Sequence, residues 1–235
     1  MTAKKKTLVL TDNYHAHQLT RELNQLHGDI DVCQSPNGPL VDVPRLNVRD
    51  ENQMLIDNYD LVLSIHCKQL FPPQLVDGVR CVNVHPGLNP YNRGWFPQVF
   101  SIVTGLPSGV TIHEIDNELD HGPIITQREY KIQSWDTSGS AYQKIMNIEK
   151  ELVLEWFTAI RDQTYLAVSP KEEGNLNYKN DFDLLKHIDL SEQGSFGDFI
   201  NRLRALTHDD FRNAYFIDDS GKKVFVKISL EPEEP

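Results

Sequence analysis

Four short apolar runs separated by helical patterns constrain the fold of this sequence more than any other feature. The run DLVLSI, at residues 60–65, is almost wholly apolar, as strands covered on both faces tend to be. Similar runs lie at residues 7–10, 30–33 and 81–84. Between the first two, leucines recur at helical spacing and the pattern ends near Gly28. This alternation predicts an α/β fold with a Rossmann-like, mostly parallel, twisted sheet and helices on both faces.

The second half of the chain predicts a long helix followed by a small C-terminal unit. Apolar side chains recur at helical spacing across residues 142–160, at Ile145, Ile148, Leu152, Trp156 and Ile160. The polar stretch 169–180 predicts a linker, the stretch 196–206 a helix, and Asp219-Ser220-Gly221 the turn of a β-hairpin. We therefore predict a larger domain at 1–165, a linker at 166–195, and a C-terminal helix and hairpin at 196–235 that end in a disordered tail.

Charge and cysteine content exclude several classes of function. The formal net charge is -11, whereas a nucleic-acid-binding protein needs clustered Lys and Arg. The three cysteines form no CxxC pair, which disfavours a disulfide framework or a zinc site and predicts a reducing cytoplasm. There is no run of 18 or more apolar residues, so no membrane-spanning helix is expected.

The sequence also lacks the usual phosphate-binding motifs of parallel sheets. Neither GxGxxG after the first strand nor GxxxxGK[ST] is present. Because ligands of open parallel sheets bind at the carboxyl ends of the strands, the loops after Leu10, Ile65 and Val84 are the candidate ligand-binding segments.

Polar residues at the end of the fourth strand provide the candidate chemistry. Asn83 and His85 lie two apart and therefore share one face of that strand, and Pro86-Gly87 ends it. Asp120 precedes His-Gly-Pro at a later loop-to-strand junction. A carboxylate, an imidazole and an amide can together orient a histidine, transfer a proton and stabilise an oxyanion. Taken alone, each residue is better explained by structure: Asn83 and His85 by bonds to loop backbone groups, and Asp120 as a turn or cap residue.

Two linked motifs resemble the 10-formyltetrahydrofolate-dependent formyltransferases. They are VNVHPGLNPYNRGWFPQ at residues 82–98 and SGVTIHEIDNELDHGPIITQ at 108–127, and the resemblance covers about residues 7–165, with a weaker part reaching 228. The flanking segments TDNYHAHQL, SIHCKQLFP and RALTHDDFRNAYF resemble the nucleotide-sugar N-formyltransferases within that family. The resemblance implies Asn83, His85 and Asp120 as the catalytic residues.

The same resemblance implies the ligands and their contacts. The formyl donor would be 10-formyltetrahydrofolate, and the acceptor the amine of a dTDP-linked amino-dideoxysugar, most simply dTDP-4-amino-4,6-dideoxyglucose, for O-antigen synthesis. No metal, nucleic acid or membrane partner is implied, and the added C-terminal unit predicts a homodimer. The predicted cofactor-binding residues are Cys67, Lys68, Gln69, Phe71 and Asp116. The predicted substrate-binding residues are Asn13, Tyr14, Tyr91, Asn92, Arg93, Trp95 and Tyr215.

Several alternatives stay open at the level of sequence. The acceptor amine could lie on carbon 3 of the sugar, or on a different molecule such as glycinamide ribonucleotide. Lys68 could contact the acidic substrate rather than the donor. A non-catalytic sugar-nucleotide sensor and a metallohydrolase that uses His85, Asp120 and either His121 or His113 are the competing classes, although no HExxH motif occurs.

Overall fold

A computed structural model describes residues 6–233, and its largest element is a six-stranded mixed sheet. The strands of this sheet are β1 (Thr7–Leu10), β2 (Ile30–Cys33), β3 (Leu61–Ile65), β4 (Cys81–His85), β6 (Ser108–Glu114) and β7 (Ile124–Tyr130). Four shorter strands form two separate pairs: β5 (Arg93–Gly94) with β8 (Leu176–Asn177), and β9 (Tyr215–Ile217) with β10 (Lys223–Phe225).

The strand order in the main sheet is β2-β1-β3-β4-β6-β7. The first four strands pair in parallel, while β6 pairs antiparallel to β4. The carboxyl ends of β1, β3 and β4 therefore meet at one edge, as the alternating pattern predicts. The α/β fold class is confirmed.

Seven helices connect these strands in the described part of the chain: α1 (Tyr14–His27), α2 (Asn52–Asn58), α3 (Pro73–Gly78), α4 (Pro97–Thr104), α5 (Ser138–Asp162), α6 (Lys179–Lys186) and α7 (Phe196–Leu206). Asn13 begins α1 as its N-cap, and Gly28, in the left-handed region, ends it. Helix α5 includes the whole of the predicted helix 142–160, and α7 has the predicted bounds.

The chain divides into two compact units. The first comprises Met1–His85, Val110–Arg128 and Met146–Lys171, and the second comprises Pro86–Gly109, Glu129–Ile145 and Glu172–Pro235. The first unit has an apolar core between strands and helices, formed by Leu8, Leu10, Leu46, Val48, Leu55, Val62, Leu75, Val79 and Cys81. The second has its own core, formed by Val99, Phe100, Ile102, Ala141, Phe182, Ala205, Leu206 and Ala214. Each unit thus buries enough apolar surface to hold its own loops in place.

The segment predicted as a linker, residues 166–195, contains β8 and α6. The sequence gives no clear signal of these two elements, because β8 is a two-residue strand and only Phe182 of α6 is buried. The tail at 231–235 extends beyond the described residues, so the prediction of disorder there lies partly outside them.

Candidate active site

The pairing of β4 with β6 brings the polar face of β4 against a second polar face. The register opposes Asn83 to His113 and His85 to Thr111. Directly opposed residues of antiparallel strands have their side chains on the same side of the sheet. The alternating sequence of β6, T-I-H, therefore adds a second histidine to the predicted constellation.

Asp120 reaches this constellation from a tight turn between β6 and β7. Its backbone is left-handed, with φ of 50°, a conformation that Asp and Asn tolerate better than most residues. Gly122 lies buried in the same turn, where a Cβ atom would overlap the carbonyl oxygen of Glu114. The turn therefore requires glycine at 122 for close approach, which explains the Asp-His-Gly sequence physically.

Hydrogen bonds fix the orientation of the Asn83 amide. Its Nδ2 donates to Asp120 Oδ1 at 3.0 Å and lies 3.2 Å from His113 Nε2. His113 Nδ1 is 2.7 Å from the carbonyl oxygen of Glu114, so Nδ1 must donate and Nε2 can accept. Both N–H bonds of Asn83 thus have acceptors, one on the carboxylate and one on the buried imidazole.

His85 and Asp120 form a buried pair beside this amide. His85 Nδ1 lies 3.4 Å from Asp120 Oδ2, and the two side chains are 4% and 10% exposed. A carboxylate at this distance orients the ring and stabilises an imidazolium when His85 takes up a proton. The group can therefore perform general acid–base chemistry at the carboxyl end of β4.

A buried carboxylate organises the loops after β1, β2 and β3. Asp12 accepts hydrogen bonds from the backbone N–H of Ser35 at 2.8 Å, the Ser35 hydroxyl at 2.6 Å and the backbone N–H of Lys68 at 2.9 Å. These loops border an open cavity of about 330 Å³, lined by Asp12, Ser35, Lys68, Gln69 and residues 36–39.

The segment after β3 that is predicted to bind the formyl donor is held in place mainly by its own side chains. Gln69 Nε2 donates to the Leu46 carbonyl, and Gln69 Oε1 accepts from the Val48 N–H, both at 3.0 Å. Phe71 packs against the core of the first unit. Cys67 Sγ lies 3.8 Å from the Ser35 hydroxyl, and burial raises the pKa of its thiol. Backbone groups of this loop and the exposed Lys68 side chain are thus the parts that can face a ligand.

Three further predicted residues of the first unit lie at the start of α1 and in the loop between β6 and β7. The Asn13 side-chain oxygen accepts from the backbone N–H groups of His15 and Ala16 as the α1 cap, while Tyr14 is 63% exposed. Asp116 Oδ2 lies 2.8 Å from His121 Nδ1, and both side chains are about one-third exposed. Tyr14 and the partly exposed Asp116 are therefore accessible to a ligand.

Two predicted substrate-binding residues of the second unit are buried by internal partners. Asn92 is 1% exposed; it donates to the Ser101 hydroxyl at 3.0 Å and accepts from Asn175 at the same distance. Arg93 pairs with Glu173 at 2.6 Å, and its side chain is 6% exposed. These contacts tie residues 92–93 to the 173–177 segment.

The other three predicted residues of that unit have mixed surroundings. Trp95 is 38% exposed and has Lys179 Nζ 6.0 Å from its ring centroid. Tyr91 donates to Glu172 at 2.7 Å. Tyr215 packs in the C-terminal hairpin, with Lys223 Nζ over its ring at 3.8 Å.

At the level of sequence, His113 was expected only as a possible metal ligand, and its contact with the Asn83 amide was not expected. The signal was available in the alternation of polar residues on β6, but linking it to Asn83 required the antiparallel register, which is a property of the folded sheet.

These features define a member of the formyltransferase family, and comparison with known families agrees. A family model described as "Formyl transferase" matches residues 5–156, and one described as "N-formyltransferase dimerization C-terminal domain" matches residues 181–232. Because the first match covers more than half of the chain, the chain belongs to the formyltransferase family and is a formyltransferase.

Individual relatives are similar over nearly the whole chain. The dTDP-4-amino-4,6-dideoxyglucose formyltransferase of Mycobacterium tuberculosis is 65% identical over 228 residues, which is 97% of each chain. A crystal structure from Mycobacterium tuberculosis, described as a "likely sugar N-formyltransferase", has a TM-score of 0.97 and 64% identity, covering 98% of this chain and all of that one.

A more distant structure, with bound ligands, has the same fold. It is a formyltransferase from Anoxybacillus kamchatkensis in complex with UDP-4,6-dideoxy-4-formamido-L-AltNAc and tetrahydrofolate. It is 25% identical with a TM-score of 0.62, covering 85% of this chain and 98% of that one.

The predicted enzyme class is therefore confirmed, and the sensor and metallohydrolase alternatives are wrong as descriptions of the chain's main activity. Within residues 6–233, no helix is both long and apolar enough to cross a bilayer. The cytoplasmic location and the absence of a metal remain predictions.

Proposed function

We propose that this formyltransferase moves the formyl group of 10-formyltetrahydrofolate to the 4-amino group of dTDP-4-amino-4,6-dideoxyglucose. The observation that carries the proposal is the 65% identity, over 97% of both chains, to a relative with that name. The ligands of the Anoxybacillus structure, a 4-formamido sugar nucleotide and tetrahydrofolate, support the same pairing of acceptor and donor. Use of the product in O-antigen synthesis remains a prediction from the sequence resemblance.

In the proposed mechanism, His85 carries the proton that the amine loses. The amine nitrogen bonds to the formyl carbon, the bond from that carbon to folate N10 breaks, and N10 receives the proton. His85 accepts the proton from the amine and returns it to N10, while Asp120, 3.4 Å away, stabilises the transient imidazolium. General acid–base catalysis of this kind typically contributes about 10²–10⁴ in rate.

We further propose that Asn83 stabilises the oxyanion formed at the formyl oxygen. In the ligand-free geometry its two N–H bonds point to Asp120 and His113. The contact with His113 is the longer at 3.2 Å, so it is the one that Asn83 would exchange for the developing oxyanion. A single such donor typically contributes about 10²–10³ in rate.

Backbone groups of residues 67–71 are proposed to contact the folate. This loop follows β3, which pairs with the catalytic strand β4 so that Ile65 opposes Val84. Residue 66 is therefore in line with His85, and the loop begins beside the reacting group. We propose Asp116 as a further folate contact, and either folate or the acidic acceptor as the ligand of Lys68.

The acceptor contacts are proposed for side chains that are at least partly exposed. Tyr14, Tyr91 and Trp95 can contact a sugar nucleotide directly, whereas Asn92 and Arg93 would act by holding their loop. Asn13 would contribute through its backbone because its side chain caps α1. Tyr215 remains a predicted contact, although hairpin packing explains its position.

The test is a product assay with a panel of dTDP-amino sugars and 10-formyltetrahydrofolate, read by mass. We expect one formyl group on the 4-amino sugar, no product without the donor, and unchanged turnover with a chelator. His85→Gln should abolish product, while the matched control His27→Gln, at the far end of α1, should not. Preference for a 3-amino sugar would replace the proposed acceptor, and no product from any sugar would refute the proposal.

We also propose a homodimer that forms through residues 181–232. The second unit presents an apolar groove of about 250 Å³ lined by Ile188, Leu190, Phe199, Leu203, Phe216 and Val226. Phe196, at the start of α7, is 87% exposed. Exposed apolar surface of this kind marks protein–protein contact sites, and the matched family is described as a dimerization domain.

A further inference from the structure

A second histidine at the carboxyl edge of the sheet has no part in the proposed mechanism. His66 directly follows β3, and its Nε2 lies 2.9 Å from Oε2 of Glu149 on α5. The two side chains are 13% and 3% exposed. Burying a charge costs free energy unless the charge is paired. The contact therefore requires both groups to be held in one geometry.

The backbone at His66 is unusual in the same place. Its φ is 54°, in the left-handed region that few residues other than glycine adopt, although His is found there more often than most, as are Asn and Asp. Its carbonyl accepts the backbone N–H of Asp12 at 3.3 Å. The chain therefore turns sharply at residue 66, and surrounding contacts must hold that turn.

The turn sets the path of the loop that follows. Two residues later, the backbone N–H of Lys68 reaches the Asp12 carboxylate, and the Gln69 side chain reaches the 46–48 segment. The pair between His66 and Glu149 and the bond from the Asp12 N–H to the His66 carbonyl both anchor this loop where it leaves β3. In the β3–β4 register, this point is level with His85.

The charge state is consistent with an ion pair. Burial, the largest single influence, acts to lower the pKa of His66, but the charge of Glu149 and its contact with the ring outweigh it, so the pKa is raised. The positively charged form is therefore favoured next to the carboxylate.

We propose that His66 and Glu149 are positioning residues, which together aim the backbone of residues 67–70 at the formyl donor. The inference rests on the donor assignment proposed above. Neither side chain needs to touch the reacting atoms. Their loss should weaken donor binding without changing the chemistry at His85.

The experiment measures steady-state kinetics with each substrate varied in turn. His66→Gln and Glu149→Gln each leave a neutral group that can still hydrogen-bond, so the fold should be retained. We expect each variant to raise the KM for 10-formyltetrahydrofolate by at least about fivefold, with kcat and the KM for the amino sugar changed by less than about twofold. Combining the two substitutions should raise the donor KM by less than the product of the single effects, because they remove one shared contact.

Two further variants separate the pair from its surroundings. His66→Gly removes the free-energy cost of a left-handed backbone at residue 66, but it also removes the pair with Glu149. It should therefore raise the donor KM as His66→Gln does. Lys150→Gln, next to Glu149, breaks the exposed pair with Glu22 at 2.7 Å and should leave all constants unchanged.

An unchanged donor KM in folded His66→Gln and Glu149→Gln would overturn the inference. So would a fall in kcat, or an equal rise in both KM values, since these would indicate a general structural role. If the wild-type protein showed no saturable dependence on 10-formyltetrahydrofolate, the proposed donor itself would fail, and that result is distinct from the others.

Discussion

Asp120→Asn is the substitution whose effect can be worked most directly from the structure. Asn is nearly isosteric with Asp and tolerates the left-handed backbone at residue 120, so the turn should be preserved. What changes is the charge 3.4 Å from His85 Nδ1 and the acceptor for Asn83.

The magnitude follows from Coulomb's law. Two unit charges 3.4 Å apart interact by about 5 kcal/mol at an effective dielectric constant of about 20. If half of a unit charge has developed on His85 in the transition state, the loss is about 2.5 kcal/mol. With about 1.4 kcal/mol for each factor of ten, turnover should fall by about 60-fold for half a charge and by about 4,000-fold for a full charge.

The assay is single-turnover formyl transfer at saturating donor and acceptor, with folding checked by thermal denaturation. The matched control is Asp31→Asn on β2, whose carboxylate also accepts a hydrogen bond, from Tyr59 at 2.7 Å, but lies away from β4. We expect control activity within about twofold of wild type. A loss of less than tenfold in folded Asp120→Asn would refute the assigned electrostatic role of the carboxylate.

Three further predictions concern stability and assembly. Gly122→Ala should lower the free energy of unfolding by about 1–3 kcal/mol, measured by urea denaturation, because its Cβ would overlap the Glu114 carbonyl; an unchanged midpoint would contradict the close approach. Because the pKa of His66 is raised, its contribution to stability is fully present below the ordinary value of 6.5 and is lost as pH rises through the higher folded value. Denaturation measured from pH 6 upwards should therefore show a decline in the free energy of unfolding that is smaller in His66→Gln than in the wild type. Identical slopes of this free energy against pH would exclude the contribution of His66. Leu190→Asp, in the apolar groove, should raise the dimer Kd by at least about thirtyfold in sedimentation velocity, whereas Leu26→Asp, similarly exposed on α1, should not; a Leu190→Asp dimer of wild-type affinity would remove the groove from the interface.

Local patterns were sufficient to predict most of the main sheet and the long helices. Residues 7–10 and 30–33 are strands with the predicted bounds, and α7 has the predicted limits. These elements are encoded by short-range periodicity, because a side chain's burial alternates every two residues in a strand and every 3.6 in a helix. By contrast, the two-residue strands β5 and β8 have no pattern long enough to detect, and their pairing joins segments about 80 residues apart.

The candidate site was likewise predictable from the sequence only in part. The motif spacing and the family resemblance indicated Asn83, His85 and Asp120, and the structure places Asp120 in contact with both Asn83 and His85. For Asn92 and Arg93, sequence could not show which way the side chains point, and both are buried by partners from residues 173–175. Whether a polar residue faces a ligand or the protein depends on distant segments, which spacing along the chain does not encode.

The sequence by itself determined the class of fold and indicated the family and the candidate catalytic residues. Only the tertiary structure decided that His113 orients Asn83, that Asp12 ties three loops together, and that His66 meets Glu149 on a helix more than 80 residues later. The physical reason is that periodicity and turn chemistry act over a few residues, whereas strand register and helix packing bring together groups that are far apart in the chain. Those long-range contacts set the orientation and charge state of each side chain, and so its chemistry.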